Sequence, residues 1–456
     1  MGIGKAAAVA VARIRAARHG GSLGHRTIRA SAWTIGGHLA NQAIRLGSNL
    51  ILTRLLFPEA FGIMAIVQSV MVGLALLTDV GIEPAIVQNA RGRDPDFVNT
   101  AWTLQAVQGL LIWLALCALA PLLASLYAQP VLAEVLPVAG LSAVLGGLGS
   151  TKLAVANRNL ALGRRVSIEL GSYALGVVAT ILLAWIDRSV WALVWGGLIG
   201  ASLKTLSSHL FTEGERNRFA WEWSAAKELF GFGQWVFVSS SLTFLAGEGN
   251  KLLLGAFLGV KLLALFTLAS TMSLMFWQIA QLLNNRVFFP AYSEVARDRP
   301  ERLRQISERS RMFLIVPGWL IALFFVLWGD VFMSFLYDQR YAGSGHMLRI
   351  LGMGSLVGVI GNSYGGLLWA KGMVRTSTVV LGLQILIQVV GMLVGNHFLG
   401  DRGVILSAAL VTWLLYPVQA YVHAKIGLWQ PKLDLPFLIL SILVVAVYFG
   451  EAFARM

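Results

Sequence analysis

Residues 104–126 read LQAVQGLLIWLALCALAPLLASL, an apolar stretch without a single charged side chain. A helix rises about 1.5 Å per residue, so about twenty such residues cross a hydrocarbon layer of about 30 Å. Backbone inside lipid must satisfy its own hydrogen bonds, which a helix does. The stretch therefore predicts a transmembrane helix, whereas an outer-membrane barrel would show alternating segments of about ten residues.

The composition extends this interpretation to the whole chain. Of the 456 residues, 57% are hydrophobic and only 13% are charged, whereas about a quarter are charged in a soluble protein. A soluble core cannot absorb so much apolar sequence. The net charge of +14 would suit nucleic-acid binding only with a basic face on a soluble domain, which is not predicted here. We expect a membrane protein with no nucleic-acid partner.

Similar apolar runs recur along the chain, with Gly and Pro near many of their ends. They predict an all-α polytopic protein of about thirteen transmembrane helices. The spans lie near 29–54, 59–80, 98–127, 131–154, 166–186, 189–211, 229–257, 262–288, 310–334, 345–370, 376–398, 403–424 and 435–453.

The basic residues orient this map. With the N-terminus in the cytoplasm, 27 of the 36 Lys and Arg residues fall in cytoplasmic segments and seven in external ones. The remaining two, Arg45 and Lys251, lie within predicted helices. Residues 1–28 read as a basic cytoplasmic tail and not a signal peptide, because they lack a long apolar core. We expect a multi-pass protein of the bacterial inner membrane.

Two ordered matches, both offset by about 200 residues, indicate an internal repeat. LILTRLL at 50–56 matches LLLGAFL at 252–258, and LYAQ at 126–129 matches LYDQ at 336–339. An offset of six helices keeps the same orientation, which predicts two six-helix bundles related by a pseudo-two-fold axis along the membrane normal. The chain is predicted to divide into a tail at 1–28, an N-terminal half at 29–211, a cytoplasmic linker at 212–228, a C-terminal half at 229–424 and an extra C-terminal transmembrane helix in 425–456.

Six motifs follow one another along the chain: LTRLLFPEAFG at 52–62, DVGI at 79–82 with AIVQ at 85–88, LY at 126–127, VWALV at 190–194, LLLGAFLG at 252–259 and FFPAYS at 288–293. In this order they resemble motifs of bacterial polysaccharide transporters, the oligosaccharide flippases of the multidrug/oligosaccharidyl-lipid/polysaccharide exporter superfamily. The resemblance covers about residues 27–425.

The resemblance implies alternating access by two bundles around a central cavity. It implies a substrate class, polyprenyl-diphosphate-linked oligosaccharide, moved across the inner membrane for surface or exopolysaccharide biosynthesis. H⁺ or Na⁺ would be the coupling ion, and membrane lipids and polysaccharide assembly proteins would be partners. Two departures are visible. The family's acid before its LLIG motif is displaced to Glu248 ahead of Lys251, and the chain is one helix short of the usual fourteen.

Charged residues inside membrane helices are costly and are therefore functional candidates. Asn41, Arg45 and Asn49 lie four residues apart on one face of helix 1, which predicts a cavity wall whose arginine grips diphosphate. The alternative is an arginine that snorkels or pairs with an acid for packing. Asn250 and Lys251 are predicted to line the same cavity.

Acidic residues supply the predicted ion-coupling or gate positions. Glu248 stands three residues before Lys251, so the two can pair within one turn, with or without a transport role. Asp79 and Glu83 lie at the inner end of helix 2, either as a gate contact to a cytoplasmic arginine or as a charged helix end.

A polar cluster closes helix 8 on the cytoplasmic side, where it would contact phosphate or anchor the helix at the interface. Its members are Gln281, Asn285 and Arg286. The basic segment 297–311 that follows reads as a solvated connecting helix near anionic headgroups.

Two further functions stay open beside the flippase. A cation-coupled multidrug or metabolite antiporter of the same superfamily would have the same fold but an acidic cavity. A membrane enzyme of polysaccharide assembly would carry a large external loop or an intramembrane His–Asp pair, and a transport-silent scaffold is the remaining alternative. The sequence shows no nucleotide-binding or hydrolase motif and no metal-ligand spacing, so neither an enzyme nor a cofactor is expected.

Overall fold

The structure, a computed structural model, describes residues 23–159 and 161–454, and regular structure in this part of the chain is helical throughout. The described chain divides into two compact units. One runs as far as Ala60 and resumes over Val67–Phe244, and the other combines Phe61–Ile66 with the chain from Leu245 onward. An all-helical membrane protein is therefore confirmed, while the predicted domain limits and the parallel relation of the halves stay predictions.

In the first part of the chain, long helices alternate with short ones near the turns. In chain order they are α1 (Leu23–Leu55), α2 (Pro58–Leu77), α3 (Ile82–Gln88), α4 (Pro95–Leu126), α5 (Leu132–Gly147), α6 (Lys152–Arg158), α7 (Leu162–Ile186), α8 (Val190–Leu210) and α9 (Trp223–Ala246). Helix α4 packs on α5, and α7 packs on both α8 and α1.

The second part of the chain follows a similar order. Its helices are α10 (Glu248–Leu283), α11 (Phe289–Asp298), α12 (Leu303–Leu336), α13 (Gly343–Asn362), α14 (Leu367–Ala370), α15 (Val374–Leu399), α16 (Asp401–Lys425) and α17 (Pro431–Ala454). A five-residue π-helix, Asn284–Phe288, joins α10 to α11. Helix α13 lies at the centre of the unit, against α10, α12, α16 and α17.

Among the described residues, ten helical segments are long and apolar enough to cross a membrane, or eleven if the bent pair α5–α6 counts as one span. The predicted span 131–154 is thus not one straight helix, since α5 and α6 meet at 55°. Two predicted spans are helical but are not among the ten, namely α1 and the part of α9 before Thr243. Helix α1 also starts at Leu23, earlier than predicted.

The predicted limits of helices 7 and 8 are wrong. Helix α9 ends at Ala246 and α10 begins at Glu248, after Gly247. Glycine weakens a helix, so the apolar run can break at Gly247, although α10 continues through Gly249. Conversely, the predicted gap near 258–261 is only a kink at Gly259, whose φ of +70° favours glycine. Glu248, Asn250 and Lys251 consequently lie at the start of α10.

The repeated motifs occupy matching local structures. The motif at 50–56 ends α1 just before the break at Phe57, and the motif at 252–258 ends at the Gly259 kink. The two LY dipeptides lie at the ends of α4 and α12, where Tyr127 and Tyr337 are the C-cap residues. Both LY motifs therefore end a helix, whereas the other pair ends at a helix break in one case and at a kink inside α10 in the other.

The predicted linker 212–228 lies along the first unit. The backbone N–H groups of Ala220 and Glu222 donate to the hydroxyls of Thr103 and Thr100 on α4. Arg91 reaches across to Glu222 with an Nη2–Oε2 distance of 2.6 Å. The linker is therefore attached to the first unit by specific contacts.

Candidate functional site

The predicted polar face of α1 lies in the first unit. Asn41 is exposed, Arg45 and Asn49 are half-buried, and Ser48 is buried and donates to the carbonyl of Arg45. Tyr173 of α7 lies within reach of both Arg45 and Ser48. Within the described chain, Arg45 Nε is buried without a hydrogen-bond partner. An unpartnered guanidinium donor is expensive to bury.

The second candidate group lies where α10 begins. Lys251 Nζ donates to Glu248 Oε1 at 2.8 Å, as the three-residue spacing predicted. The Lys251 side chain is 45% exposed and that of Glu248 is 19% exposed. The acid is therefore the more shielded partner, and the ammonium is the more accessible one.

A cavity of about 350 Å³ opens beside this pair, within the second unit. Asn250 and Lys251 line it, together with hydroxyls and amides from the rest of α10 and from three further helices, α13, α15 and α16. These polar lining residues are Ser270, Ser273, Ser355, Asn362, Gln384, Gln388 and Thr412. Gln388 Nε2 and Asn250 Oδ1 are buried with no hydrogen-bond partner in the described structure. Such a volume is typical of small-ligand sites.

The acidic pair Asp79 and Glu83 belongs to the first unit. Asp79 Oδ1 accepts from the Gly81 N–H at 2.8 Å, and its Oδ2 accepts from Ser240 of α9 at 3.2 Å. These bonds fix the turn between α2 and α3, so Asp79 also has a structural role.

Glu83 at the start of α3 contacts Arg165 of α7 as an ion pair and accepts from Asn157 Nδ2 at 3.0 Å. Burial alone would raise the pKa of Glu83, but the hydrogen bond and charge of Arg165, aided by Asn157 and Lys204, lower it below its ordinary value. Glu83 is thus ionised near neutral pH. It lines a polar cavity of about 350 Å³ with Arg165 and Lys204.

The predicted cluster at the end of helix 8 is only partly visible. Gln281 is half-buried near the end of α10. Asn285 and Arg286 lie in the π-helix that follows α10, and their side chains are outside the described structure.

The fully buried ion pair of Arg311 and Asp434 was not predicted from the sequence. Both side chains are 0% exposed, and Nη2 of Arg311 lies 2.5 Å from Oδ1 of Asp434. Tyr364 and Tyr416 donate to Oδ2 of Asp434 at 2.7 and 3.0 Å. The interpretation of segment 297–311 as solvated is therefore wrong at Arg311, because the guanidinium turns into the unit toward α17.

Few sequence signals point to this pair. Asp434 is an isolated acid just before the last apolar run, and Arg311 ends a basic cluster just before another. Each could be explained as a charged helix end. Their separation of 123 positions hides the pairing from any local pattern.

These features define a polytopic, all-helical membrane protein with polar groups held inside its helical units. Its sequence matches the model of the family described as polysaccharide biosynthesis protein over residues 51–345, and the chain belongs to that family.

A curated relative supports the assignment. The lipopolysaccharide biosynthesis protein WzxC of Escherichia coli (strain K12) is 23% identical over 444 residues, which cover 94% of this chain and 90% of that protein.

Two solved structures share the fold. The lipid II flippase MurJ in an inward closed conformation matches with a TM-score of 0.68 and 11% identity, over 91% of this chain and 93% of that one. An inward-facing multidrug resistance MATE family transporter of the MOP superfamily matches with a TM-score of 0.60 and 16% identity, over 84% and 94%.

Proposed function

We propose that this chain is a flippase, not an enzyme, and that it moves lipid-linked oligosaccharide across the inner membrane for polysaccharide biosynthesis. The observation that carries the proposal is the family match over residues 51–345 of a chain that consists largely of membrane-crossing helices. Likeness to a lipid II flippase and to the relative WzxC supports it. A polar, anionic glycan head cannot cross hydrocarbon unaided, so such a chain must shield it.

Arg45 is the proposed contact for the diphosphate of the substrate. Its half-buried guanidinium has a buried Nε without a partner in the described structure, and Arg binds phosphate through two parallel hydrogen bonds. Asn41 and Asn49 flank it on α1, where they can contact sugar or phosphate. Lys251 and Asn250 line the cavity of the second unit and are proposed to meet the polar head there.

Coupling and gating are assigned to acidic residues. Glu248, the shielded partner of Lys251, is the proposed site for H⁺ or Na⁺, while Asp79 and Glu83 are proposed to control opening on the cytoplasmic side. The contact of Glu83 with Arg165 supports this assignment, because an ion pair at a helix start can break and reform. The proposed orientation places the N-terminus and the cluster of Gln281, Asn285 and Arg286 in the cytoplasm.

A cation-coupled antiporter is the second candidate, favoured by the shared fold with a MATE transporter. A cavity for organic cations would require unpaired acids. The cavity of the second unit is lined instead by neutral amides and hydroxyls beside Lys251, which disfavours an organic cation.

The test measures glycan transfer in proteoliposomes. They are loaded with lipid-linked oligosaccharide that is extracted from cells that make the polysaccharide. A membrane-impermeant lectin reports the glycan that reaches the outer leaflet. Arg45→Ala should abolish transfer and Arg45→Lys should retain part of it, because Lys offers a point charge without the planar fork. Arg188→Ala, in an exposed loop of the same unit, is the matched control. Wild-type transfer by well-folded Arg45→Ala would refute the phosphate role, and no transfer by the unaltered protein would refute the flippase.

A further inference from the structure

The cavity of the second unit is lined by two amide side chains, each of which has one atom without a hydrogen-bond partner among the described residues. Asn250 on α10 and Gln388 on α15 each bury one polar atom without a hydrogen-bond partner among the described residues. Leaving such an atom unpaired costs roughly 1–3 kcal/mol. Native proteins keep few of these atoms, and here the two residues that carry them line the same cavity.

The surrounding wall narrows the chemistry of a ligand that would satisfy them. Among the described lining residues, Lys251 is the charged one and no carboxylate is present that would bind an organic cation. The remaining polar groups are neutral amides and hydroxyls. The lining also includes the aromatic side chains of Phe266, Phe276 and Trp277, and an aromatic ring can pack against the apolar C–H face of a puckered sugar ring.

We infer that this cavity is a glycan subsite, which selects for the sugar part of the substrate through Asn250 and Gln388. The inference rests on the proposed function and adds to it the position at which the sugar is recognised. A sugar hydroxyl both donates and accepts hydrogen bonds, so it can satisfy either end of an amide.

The polar groups of the subsite come from four helices. Helix α10 supplies Asn250 and Ser273, α13 supplies Ser355, α15 supplies Gln388 and α16 supplies Thr412. The Ser273 and Ser355 hydroxyls already bond each other at 3.0 Å, so this part of the wall is satisfied without a ligand. The two amides are not, and a site whose buried polar groups stay unpaired rejects ligands that lack matching hydroxyls.

The test uses purified full-length protein in nanodiscs and two lipid probes. One is lipid-linked oligosaccharide extracted from cells that make the polysaccharide. The other is a sugar-free polyprenyl diphosphate whose polyprenyl chain has the same length. Asn250→Leu and Gln388→Met, which keep the side-chain size, should each weaken binding of the glycosylated lipid about tenfold. Binding of the sugar-free lipid should not change.

Thermal unfolding of the same variants supplies a second readout. Removal of an unpaired buried polar atom should raise Tm or leave it unchanged, whereas a structural amide would lower Tm when lost. The control is Asn396→Leu, which removes an amide from α15 outside the cavity and should leave both affinities at the wild-type level.

The outcomes separate the two proposals. If the unaltered protein binds neither lipid, the flippase and the subsite both fail. If it binds both lipids and the two variants bind the glycosylated lipid as tightly as the unaltered protein, the subsite alone is overturned. A Tm lowered in both variants, with affinity retained, likewise assigns the amides to structure.

Discussion

Loss of the buried carboxylate at Asp434 should destabilise the second unit severely. In the folded protein this carboxylate neutralises Arg311 and accepts two tyrosine hydroxyls, with both charged side chains 0% exposed. Asp434→Ala leaves the guanidinium buried without its counter-charge. Breaking one side of a buried pair costs about 3–5 kcal/mol. We expect a value near the upper end, because two hydroxyls lose their acceptor as well.

Other contacts of Arg311 should not rescue the variant. Its Nε donates to Ser363 at 2.9 Å, its Nη1 donates to Gln430 at 2.8 Å, and its guanidinium lies 3.4 Å from the ring centroid of Tyr364. These groups are neutral, so they satisfy donors but do not cancel the charge. The double variant Arg311→Met with Asp434→Leu removes both charges and should recover most of the loss.

The assay is equilibrium unfolding of the purified protein in mixed detergent micelles, followed by helical circular dichroism. The exposed pair of Arg164 and Glu213 is the control, since its side chains are 47% and 87% exposed. Glu213→Ala should cost under about 1 kcal/mol. A cost for Asp434→Ala as small as that of the control, or a double variant no better than the single one, would refute the reasoning.

Three further predictions concern orientation, the gate and helix packing. Reporter fusions within 211–227 and 286–311 should both report the cytoplasm, because the basic residues concentrate there. Because Arg165 lowers the pKa of Glu83, the contribution of the pair to stability is complete near neutral pH and is lost as the pH falls through that lowered pKa. Glu83→Gln should lower Tm at pH 7 and flatten this acid-induced fall. Gly403→Val should cost about 2 kcal/mol or more, because its Cβ would overlap the backbone of the facing helix.

Each of these three has its own contrary result. A periplasmic signal from either fusion would overturn the orientation. An unchanged pH profile of Tm in Glu83→Gln would show that the ion pair contributes nothing. For the packing test, Gly382→Val is the matched control on α15, since a Cβ there meets no atom within 4 Å. Equal stability of the two valine variants would contradict the close approach of α15 and α16.

The sequence predicted most of the fold because lipid imposes a strong and local constraint. Apolar runs of about twenty residues locate the helices, and the LY repeats locate the ends of α4 and α12. The helix limits that were predicted wrongly depend on backbone conformation, which hydropathy does not measure. The break at Gly247 and the kink at Gly259 depend on backbone conformation inside one apolar run, and hydropathy averages over both.

The candidate site was predicted less completely, for a different reason. Spacing within one helix predicted the contact of Glu248 with Lys251, and the sequence suggested an arginine partner for Glu83. Contacts between distant segments leave no such pattern. Asp434 pairs with Arg311, which lies 123 positions away in the sequence, and Gln388 lines the cavity from a helix for which no role was predicted.

The second unit contains buried polar groups that are fully paired and others that have an unpaired atom. Because an unpaired buried polar atom is costly, substitution of the two kinds should change stability in different directions. At Asp434 every described charge and hydroxyl has a partner, so loss of one member orphans the others and the folded state weakens. At Gln388 the Nε2 atom has no hydrogen-bond partner among the described residues, so its replacement should not lower stability. The sign of the change in Tm on substitution therefore separates the residues that stabilise the unit from those that are proposed to bind the substrate.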